Sequence, residues 1–90
     1  MYSIDTTNKF EKDYVRCSKR GLNIDLLKKA VKLLEEDGIL PASYKPHKLK
    51  GDFVGFWEAH ILPDWLLIWD LNVKVKHISL IRTGTHSDLY

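Results

Sequence analysis

The chain has 90 residues, of which 44% are hydrophobic and 29% charged, and its formal net charge is +2. This length and balance predict one folded domain over residues 1–90 and argue against disorder. The single cysteine, Cys17, excludes an intrachain disulfide and is predicted to be a buried structural thiol. No apolar run approaches the ~20 residues of a membrane span, and the first residues lack a signal-peptide pattern. We therefore expect a cytoplasmic protein with no membrane partner.

The first half of the chain predicts a short strand at residues 2–5 and then a helix. Thr6 or Thr7 is the candidate N-cap, and Gly21 ends the helix. The apolar stripe of this helix has helical spacing and consists of Phe10, Tyr14 and Cys17. Its other face is predicted to be polar and carries Lys9, Lys12, Asp13, Arg16 and Lys19.

A second helix follows after a short link, so the two helices are predicted to form an antiparallel hairpin. Asn23 or Asp25 opens this helix, and Gly38 stops it after an acidic end. Its apolar stripe is Leu26, Leu27, Ala30, Val31, Leu33 and Leu34.

The second half of the chain changes character and predicts three strands in a meander. The predicted strands are 53–61, 65–71 and 74–82. Alternation along the last strand assigns Leu80 and Arg82 to the same face. The order β-α-α-β-β-β, with the helices before the meander, predicts an α+β domain in which a helical hairpin packs on a small, mainly antiparallel sheet.

The chemistry of the chain is concentrated in three polar clusters, each with a histidine. They span Tyr44–Gly51, Glu58–Trp65 and Arg82–Ser87, and they contain His47, His60 and His86 respectively. Histidine has an unperturbed pKa of about 6.5, so it gives or takes a proton near neutrality. The fourth histidine, His77, lies within a predicted strand without such a cluster, and we predict a structural role for it.

These clusters contain the groups that metal-free cleavage of an RNA phosphodiester needs. His47, His60, Asp64 and His86 are candidates for proton transfer, and Arg82 is the candidate clamp for phosphate oxygens. The Leu62-Pro63-Asp64 turn brings His60 close to Asp64. A flexible Thr83-Gly84-Thr85 link is expected to deliver His86 to the same place.

Further residues are candidates for contact with RNA. Lys45, Lys48 and Lys50 form a basic stretch without an acid, although a solvated lysine loop explains the charge equally well. Trp65 could support the site, and Tyr90 could stack on a base.

Two simpler interpretations stay open at this point. His60 and Asp64 could make only a structural hydrogen bond at a turn. A zinc set of His47, His60, Asp64 and His86 is the sharper alternative, but the usual zinc-ligand spacings are missing and we predict no metal. Trp57 and Trp69 are expected to be core residues.

At these clusters the chain resembles a known family. The motifs Tyr-Lys-x-His-x-Leu-x-Gly from Tyr44, Ala-His-x-x-Pro-Asp-Trp-x-Leu-Ile from Ala59, and Arg-Thr-Gly-Thr-His-x-x-Leu from Arg82 are similar to those of the YafQ branch of the RelE/ParE toxin superfamily. The resemblance covers nearly the whole chain, including its length and its order of elements. Three motifs in register make it specific.

The resemblance implies the toxin of a bacterial type II toxin–antitoxin system. Such toxins act in the ribosomal A site and cut mRNA there, without metal or cofactor. It also implies a cognate antitoxin, usually a ribbon-helix-helix protein of the DinJ kind, which masks the toxin. Operator DNA is bound only through that complex, and a heterotetramer of two toxins and two antitoxins is implied.

Carried over by motif position, the resemblance implies active-site residues and roles. The implied set is His47, His60, Asp64, Arg82 and His86, supported by Trp65 and Tyr90. His86 is implied as the general acid and Arg82 as the phosphate clamp, while the base role stays open among His47, His60 and Asp64.

One position departs from the family pattern. Many relatives carry an arginine where this chain has Trp57. One phosphate or ribosomal-RNA contact is therefore expected to be missing, and Lys45, Lys48 and Lys50 are the candidates to compensate. The alternative functions are a non-catalytic toxin like the ParE branch, which blocks DNA gyrase, and an RNA-binding module without turnover. The ParE branch lacks the histidine set.

Overall fold

The computed structural model describes all residues from Met1 to Tyr90 and contains three helices and one five-stranded sheet. No helix is long and apolar enough to cross a membrane. The elements in chain order are β1 (Ser3–Thr6), α1 (Asn8–Lys19), α2 (Ile24–Asp37), β2 (His47–Lys48), β3 (Trp57–Leu62), β4 (Trp65–Asn72), β5 (His77–Gly84) and α3 (His86–Leu89). Two 3-10 turns, Ala42–Tyr44 and Gly51–Phe53, lie between α2 and β3.

The sheet has the strand order β1-β5-β4-β3-β2. The predicted meander is confirmed, because β3, β4 and β5 pair antiparallel in sequence order. β1 joins the sheet parallel to β5, and the two-residue strand β2 adds an edge beside β3. The predicted α+β class is confirmed, although β2 and α3 were not predicted.

The helices begin and end where local chemistry directs them. The Thr7 hydroxyl accepts a hydrogen bond from the Phe10 amide at the start of α1, and the Asn23 side chain caps α2 in the same way through Asp25. Gly38 ends α2 in the left-handed region at φ 75°, where a Cβ would collide with the Tyr2 ring. The predicted stop at this glycine is confirmed by both its conformation and its lack of a side chain.

The main core lies between the two long helices and one face of the sheet. The central strand β4 alternates between this core, through Leu67 and Trp69, and a second cluster on the opposite face, through Leu66 and Ile68. α3 and the segment before β3 cover that second face with Leu49, Phe53, Phe56 and Leu89. β4 is therefore apolar on both faces, and the second face carries the polar clusters at its rim.

A β-bulge in β5 corrects one predicted face. Trp69 pairs with Leu80 and the preceding Ile68 pairs with Arg82, so Ile81 is an extra residue on β5. Because Ile68 and Trp69 point to opposite faces of β4, Arg82 lies on the face opposite Leu80. The prediction that Leu80 and Arg82 share a face is wrong for this reason.

Three predicted strand boundaries also need correction. β5 begins at His77 rather than at residue 74, because residues 73–76 form the turn after β4. β3 begins at Trp57 rather than Phe53, because Gly51 and Gly55, both with positive φ, turn the chain before it. β5 includes Thr83 and Gly84, which were predicted as a flexible link. His86 is therefore held by a strand and a short helix.

Candidate active site

Three of the four histidines lie in a row at the rim of the second sheet face. The ring centroids of His47 and His60 are 6.3 Å apart, and those of His60 and His86 are 6.0 Å apart. The predicted gathering of histidines from three separate motifs is therefore present in the structure.

Strand register explains why these residues meet. Leu66 pairs with His60 on one side and with Gly84 on the other, so the last residue of β5 lies two strands from His60. His86 follows Gly84 after one residue. His47 lies opposite Glu58, which precedes His60 by two positions on the same face of β3.

Asp64 is bound to His86, whereas the sequence had suggested His60 as its partner. The His86 amide donates to Asp64 Oδ1 at 2.9 Å, and His86 Nδ1 lies 2.5 Å from the same oxygen. These contacts lower the pKa of the exposed Asp64 carboxyl, the amide first and the ring second. Asp64 therefore orients His86 through Nδ1 and leaves Nε2 open.

His60 is oriented by a backbone carbonyl. Its Nδ1 lies 3.2 Å from the Pro63 carbonyl oxygen, which only accepts hydrogen bonds. Nδ1 therefore carries the proton in the neutral ring, and Nε2 holds a lone pair without a partner in the protein. This tautomer is the one a general base requires.

His47 has an acceptor at each ring nitrogen. Nδ1 lies 2.9 Å from the Lys45 carbonyl oxygen, and Nε2 lies 3.2 Å from Glu58 Oε1. Both contacts are hydrogen bonds only when the ring carries both protons, as imidazolium. In the imidazolium form both contacts are satisfied, and neither ring nitrogen of His47 is left open to take a proton from a substrate.

Sequence reasoning missed Glu58. Glu58 as a whole residue is 5% exposed. Besides its contact with His47, it accepts a hydrogen bond at Oε2 from the Tyr90 hydroxyl, 2.5 Å away. The available signal was an acid two positions before His60, because that spacing in a strand puts both side chains on one face.

Arg82 is held by Asp13, a residue that the sequence analysis placed on the polar face of α1. Arg82 Nε donates to Asp13 Oδ2 at 2.6 Å and Nη2 donates to Oδ1 at 3.1 Å. Asp13 was predicted on the polar face of α1 but is 1% exposed, and it also accepts from the Thr83 amide and from Arg16. Its partner Arg82 lies in the same motif as His86, but no periodicity signals the pair.

The charges of this pair reinforce each other. Burial alone would raise the pKa of Asp13, but the hydrogen bonds from Arg82, the Thr83 amide and Arg16 outweigh it and lower that pKa. The bond to Asp13 raises the pKa of Arg82 in turn. Arg82 has no hydrogen bond or ion pair with the histidine row, but register through Ile68 puts it on the face of Glu58 and His47. Its Nη1 has no partner in the protein.

The two aromatic residues predicted to contact RNA differ. Trp65 is 1% exposed, and its indole N–H donates to the Thr83 hydroxyl at 2.9 Å. The buried Trp65 ring is therefore not available to contact RNA in this structure. Its hydrogen bond to Thr83 instead joins β4 to β5. Tyr90 is 62% exposed and its ring meets Phe53 edge-on, with centroids 5.6 Å apart.

The basic stretch lies beside the histidine row. Lys45, Lys48 and Lys50 are all exposed around β2. Lys48 Nζ lies 5.8 Å from the centroid of Trp57, the residue at the expected arginine position. Trp57 stacks on the buried Trp69 with an interplanar angle of 13°, which agrees with the prediction that this pair belongs to the core.

His77 and Cys17 have structural roles, as predicted. His77 joins β5 to β1 through Ser3 Oγ at 2.6 Å and Asp5 Oδ1 at 3.1 Å. Cys17 is fully buried, and burial raises the pKa of its thiol. No three His, Cys, Asp or Glu side chains are grouped so that they could hold a metal ion.

Comparison with known proteins agrees with this fold. The family model described as "Bacterial toxin of type II toxin-antitoxin system, YafQ" matches residues 2–90. A curated relative from Escherichia coli K12, named mRNA interferase toxin YafQ, is 38% identical over 88 residues, which cover 97% of this chain and 94% of the relative.

Solved structures extend the likeness to the backbone. The crystal structure of the E. coli DinJ-YafQ complex has a chain with a TM-score of 0.89 and 36% identity, covering 100% of this chain and 99% of that one. A metal-bound toxin from Helicobacter pylori has a TM-score of 0.89 and 38% identity over 100% of both chains. The chain belongs to the YafQ family of bacterial type II toxins, which confirms the predicted resemblance.

Proposed function

We propose that this toxin cuts mRNA on the ribosome by driving the attack of a 2′-hydroxyl on the adjacent phosphate. Its activity class follows from its family: the chain is an mRNA interferase, an endoribonuclease of a type II toxin–antitoxin system. The observation that carries the mechanism is the row of three histidines, of which two present an unpartnered Nε2.

The reaction needs two proton transfers on opposite sides of one phosphorus. A base takes the proton of the 2′-hydroxyl, and that oxygen forms a bond to phosphorus. The bond from phosphorus to the 5′-oxygen breaks, and an acid protonates the departing oxygen. The products are a 2′,3′-cyclic phosphate and a 5′-hydroxyl. Each positioned transfer accelerates the reaction by about 10²–10⁴-fold.

We assign the base to His60 and the acid to His86. His60 Nδ1 faces a carbonyl oxygen, so the lone pair at Nε2 is available for the 2′-hydroxyl proton. His86 is fixed through Nδ1 by the Asp64 carboxylate, and in its imidazolium form its open Nε2 donates the proton to the leaving oxygen. Asp64 is engaged by His86 and His47 faces two acceptors, so neither fits the base role.

The charge that develops on the phosphate needs cations. His47 in its imidazolium form is one, held at the edge of the row by Glu58 and the Lys45 carbonyl. Arg82 is the second, with Nη1 left to meet a phosphate oxygen. Fixed donors of this kind lower the barrier by about 3–4 kcal/mol each, because they need no rearrangement during the reaction.

We also propose the partners that the family carries. The solved DinJ–YafQ complex of E. coli supports an antitoxin partner for this chain, and we propose a ribbon-helix-helix protein. Contact with operator DNA would run only through that complex. Ribosome binding is proposed to use Lys45, Lys48 and Lys50, and Tyr90 is proposed to stack on a base of the bound message; these exposed groups flank the histidine row.

The test is cleavage of a message on purified ribosomes, followed by primer extension. Wild-type toxin is expected to give codon-phased cuts with 5′-hydroxyl ends, and a 2′-deoxynucleotide at the scissile position is expected to block them. His60→Gln and His86→Gln should each slow cleavage by about 10²–10⁴-fold.

His77→Gln is the matched control, since it replaces the one histidine outside the row, and it is expected to cut normally. Cleavage of the 2′-deoxy message, or normal rates in His60→Gln and His86→Gln, would exclude the mechanism. An intact message together with blocked gyrase supercoiling would instead support a ParE-like toxin.

A further inference from the structure

We propose that Glu58 is a positioning residue that holds His47 and Tyr90 together on the substrate side of the histidine row. This proposal rests on the proposed function and adds a residue that none of the three family motifs led us to assign. Glu58 lies within β3, and its two carboxylate oxygens each bind a different segment of the chain.

The contacts of Glu58 divide cleanly between its oxygens. Oε1 lies 3.2 Å from His47 Nε2, and Oε2 accepts the Tyr90 hydroxyl at 2.5 Å. His47 belongs to the edge strand β2, whereas Tyr90 follows α3 at the other end of the fold. Glu58 thus joins β3 to a side chain of each flanking segment.

Burial makes these contacts obligatory. A buried carboxylate is costly unless it is paired and hydrogen-bonded. No lysine or arginine forms an ion pair with Glu58, so its two polar partners are the His47 ring and the Tyr90 hydroxyl. A proton on His47 Nε2 makes the hydrogen bond to Oε1, and the Tyr90 hydroxyl satisfies the remaining oxygen.

Both oxygens of Glu58 are engaged in this geometry, so we assign it no proton-transfer step. Its oxygens are engaged and the residue is nearly buried, so the scissile phosphate meets His47 and Tyr90 instead. Tyr90 exposes most of its ring while its hydroxyl is fixed, an arrangement that orients an aromatic face for a base. Losing Glu58 would leave both side chains present but free to rotate.

The first experiment compares Glu58→Gln with the wild type in the ribosome cleavage assay. Glutamine keeps the size of the side chain but replaces the carboxylate oxygen that faces His47 Nε2 or the Tyr90 hydroxyl with an amide nitrogen. The cleavage rate at saturating ribosome is expected to fall by about 10- to 100-fold, while ribosome affinity is unchanged. Glu36→Gln, on the exposed face of α2, is the matched control and should behave as wild type.

The second experiment does not depend on activity. Burial of the hydroxyl and its bond to Glu58 raise the pKa of Tyr90. In Glu58→Gln, ultraviolet absorbance should therefore show one tyrosinate forming at lower pH than in wild type, nearer the usual value of about 10. The step is assigned to Tyr90 by its loss in the double variant with Tyr90→Phe.

The outcomes separate the two proposals. If wild type does not cleave, the proposed function fails, and the tyrosinate step alone decides whether Glu58 holds Tyr90. A normal cleavage rate in Glu58→Gln, or a tyrosinate step at the wild-type pH, would overturn the role of Glu58. Should Glu58→Gln not fold, Tyr90→Phe removes the same hydrogen bond from an exposed residue and must itself slow cleavage without weakening ribosome affinity.

Discussion

At the scale of single residues, the buried Asp13 carboxylate links the first helix to the last strand. Four donors converge on its two oxygens: Arg82 Nε and Nη2, the Thr83 amide and Arg16 Nη2. Charge-assisted hydrogen bonds of this kind are shorter and stronger than neutral ones. Asp13 therefore fixes the guanidinium of Arg82 and also satisfies a backbone amide of β5 that β1 does not reach.

We predict that Asp13→Asn destabilises the fold by about 2–3 kcal/mol at pH 7, because one buried partner of a charged network loses its charge. The folded-state pKa of Asp13 is lowered, so its stabilising contribution is complete above the unfolded pKa of about 3.9. That contribution is lost as pH falls through the lower, folded-state pKa. Urea unfolding between pH 7 and pH 2 measures the difference in free energy of unfolding between wild type and variant. This difference should be constant above about pH 5 and decrease below it.

Asp70→Asn provides the control for this prediction. Asp70 is exposed on β4 and makes no side-chain hydrogen bond or ion pair, so its variant should unfold like wild type at each pH. If the difference in free energy of unfolding between wild type and Asp13→Asn stays constant from pH 7 to pH 2, the charge of Asp13 contributes nothing to stability.

At the scale of elements, the four-residue helix α3 determines where His86 points. A helix this short is not stable by itself, so its position depends on tertiary contacts. Thr85 and Asp88 form a reciprocal capping box, and Asp88 also accepts two hydrogen bonds from Arg20 of the segment after α1, at 2.6 and 3.0 Å. The bond to Arg20 lowers the pKa of Asp88.

We predict that Asp88→Ala loosens α3 and slows mRNA cleavage by about tenfold, while the free energy of unfolding falls by only about 1 kcal/mol. The cap and the Arg20 contact are both lost, but the core below α3 is unchanged. Hydrogen exchange should find faster exchange at the amides of Asp88, Leu89 and Tyr90, which bond within the helix.

Ser87→Ala, an exposed change on the same helix, is the control and should leave exchange and cleavage as in wild type. Unchanged exchange at Leu89 in Asp88→Ala would mean that packing of Leu89 on the second sheet face holds α3 without its cap.

Local signals predicted much of this fold. The stripes of both long helices, the cap at Thr7, the stop at Gly38 and the meander follow from period, turn chemistry and composition, which act over a few residues. The histidine row was anticipated because its members lie in polar clusters at strand ends. The resemblance to the YafQ family supplied the implied site set and roles before the geometry was known.

What the sequence did not predict depends on contacts between distant segments. The bulge at Ile81 is set by the pairing of β5 with β4, so strict alternation put Arg82 on the wrong face. Burial of Asp13 depends on its pairing with Arg82, which lies 69 positions away in the sequence. The helical pattern of α1 shows only that Asp13 is polar and does not reveal this partner. Asp64 has His86 as partner rather than His60 because α3 folds back over the β3–β4 turn.

At the scale of the whole molecule, the small net charge conceals an uneven distribution. Lys45, Lys48 and Lys50 surround β2 beside the histidine row, whereas the acidic run Glu35–Asp37 ends α2. Trp57 occupies the position where the family resemblance implied an arginine, and its ring stacks on Trp69. If the toxin binds the ribosome as proposed, these three lysines are the basic groups beside the histidine row that can meet ribosomal RNA phosphates.

We predict that replacing Lys45, Lys48 and Lys50 together by glutamine weakens ribosome binding and flattens its salt dependence. Each phosphate contact releases condensed counterions, so the slope of log affinity against log salt should fall in magnitude by about 0.7–0.9 per lysine. Affinity measured between about 50 and 200 mM salt tests this. The matched control is the triple glutamine variant of Lys9, Lys12 and Lys19, which removes the same charge from the exposed face of α1. Equal slopes for the two triple variants would show that net charge alone, and not the position of the lysines beside β2, governs binding.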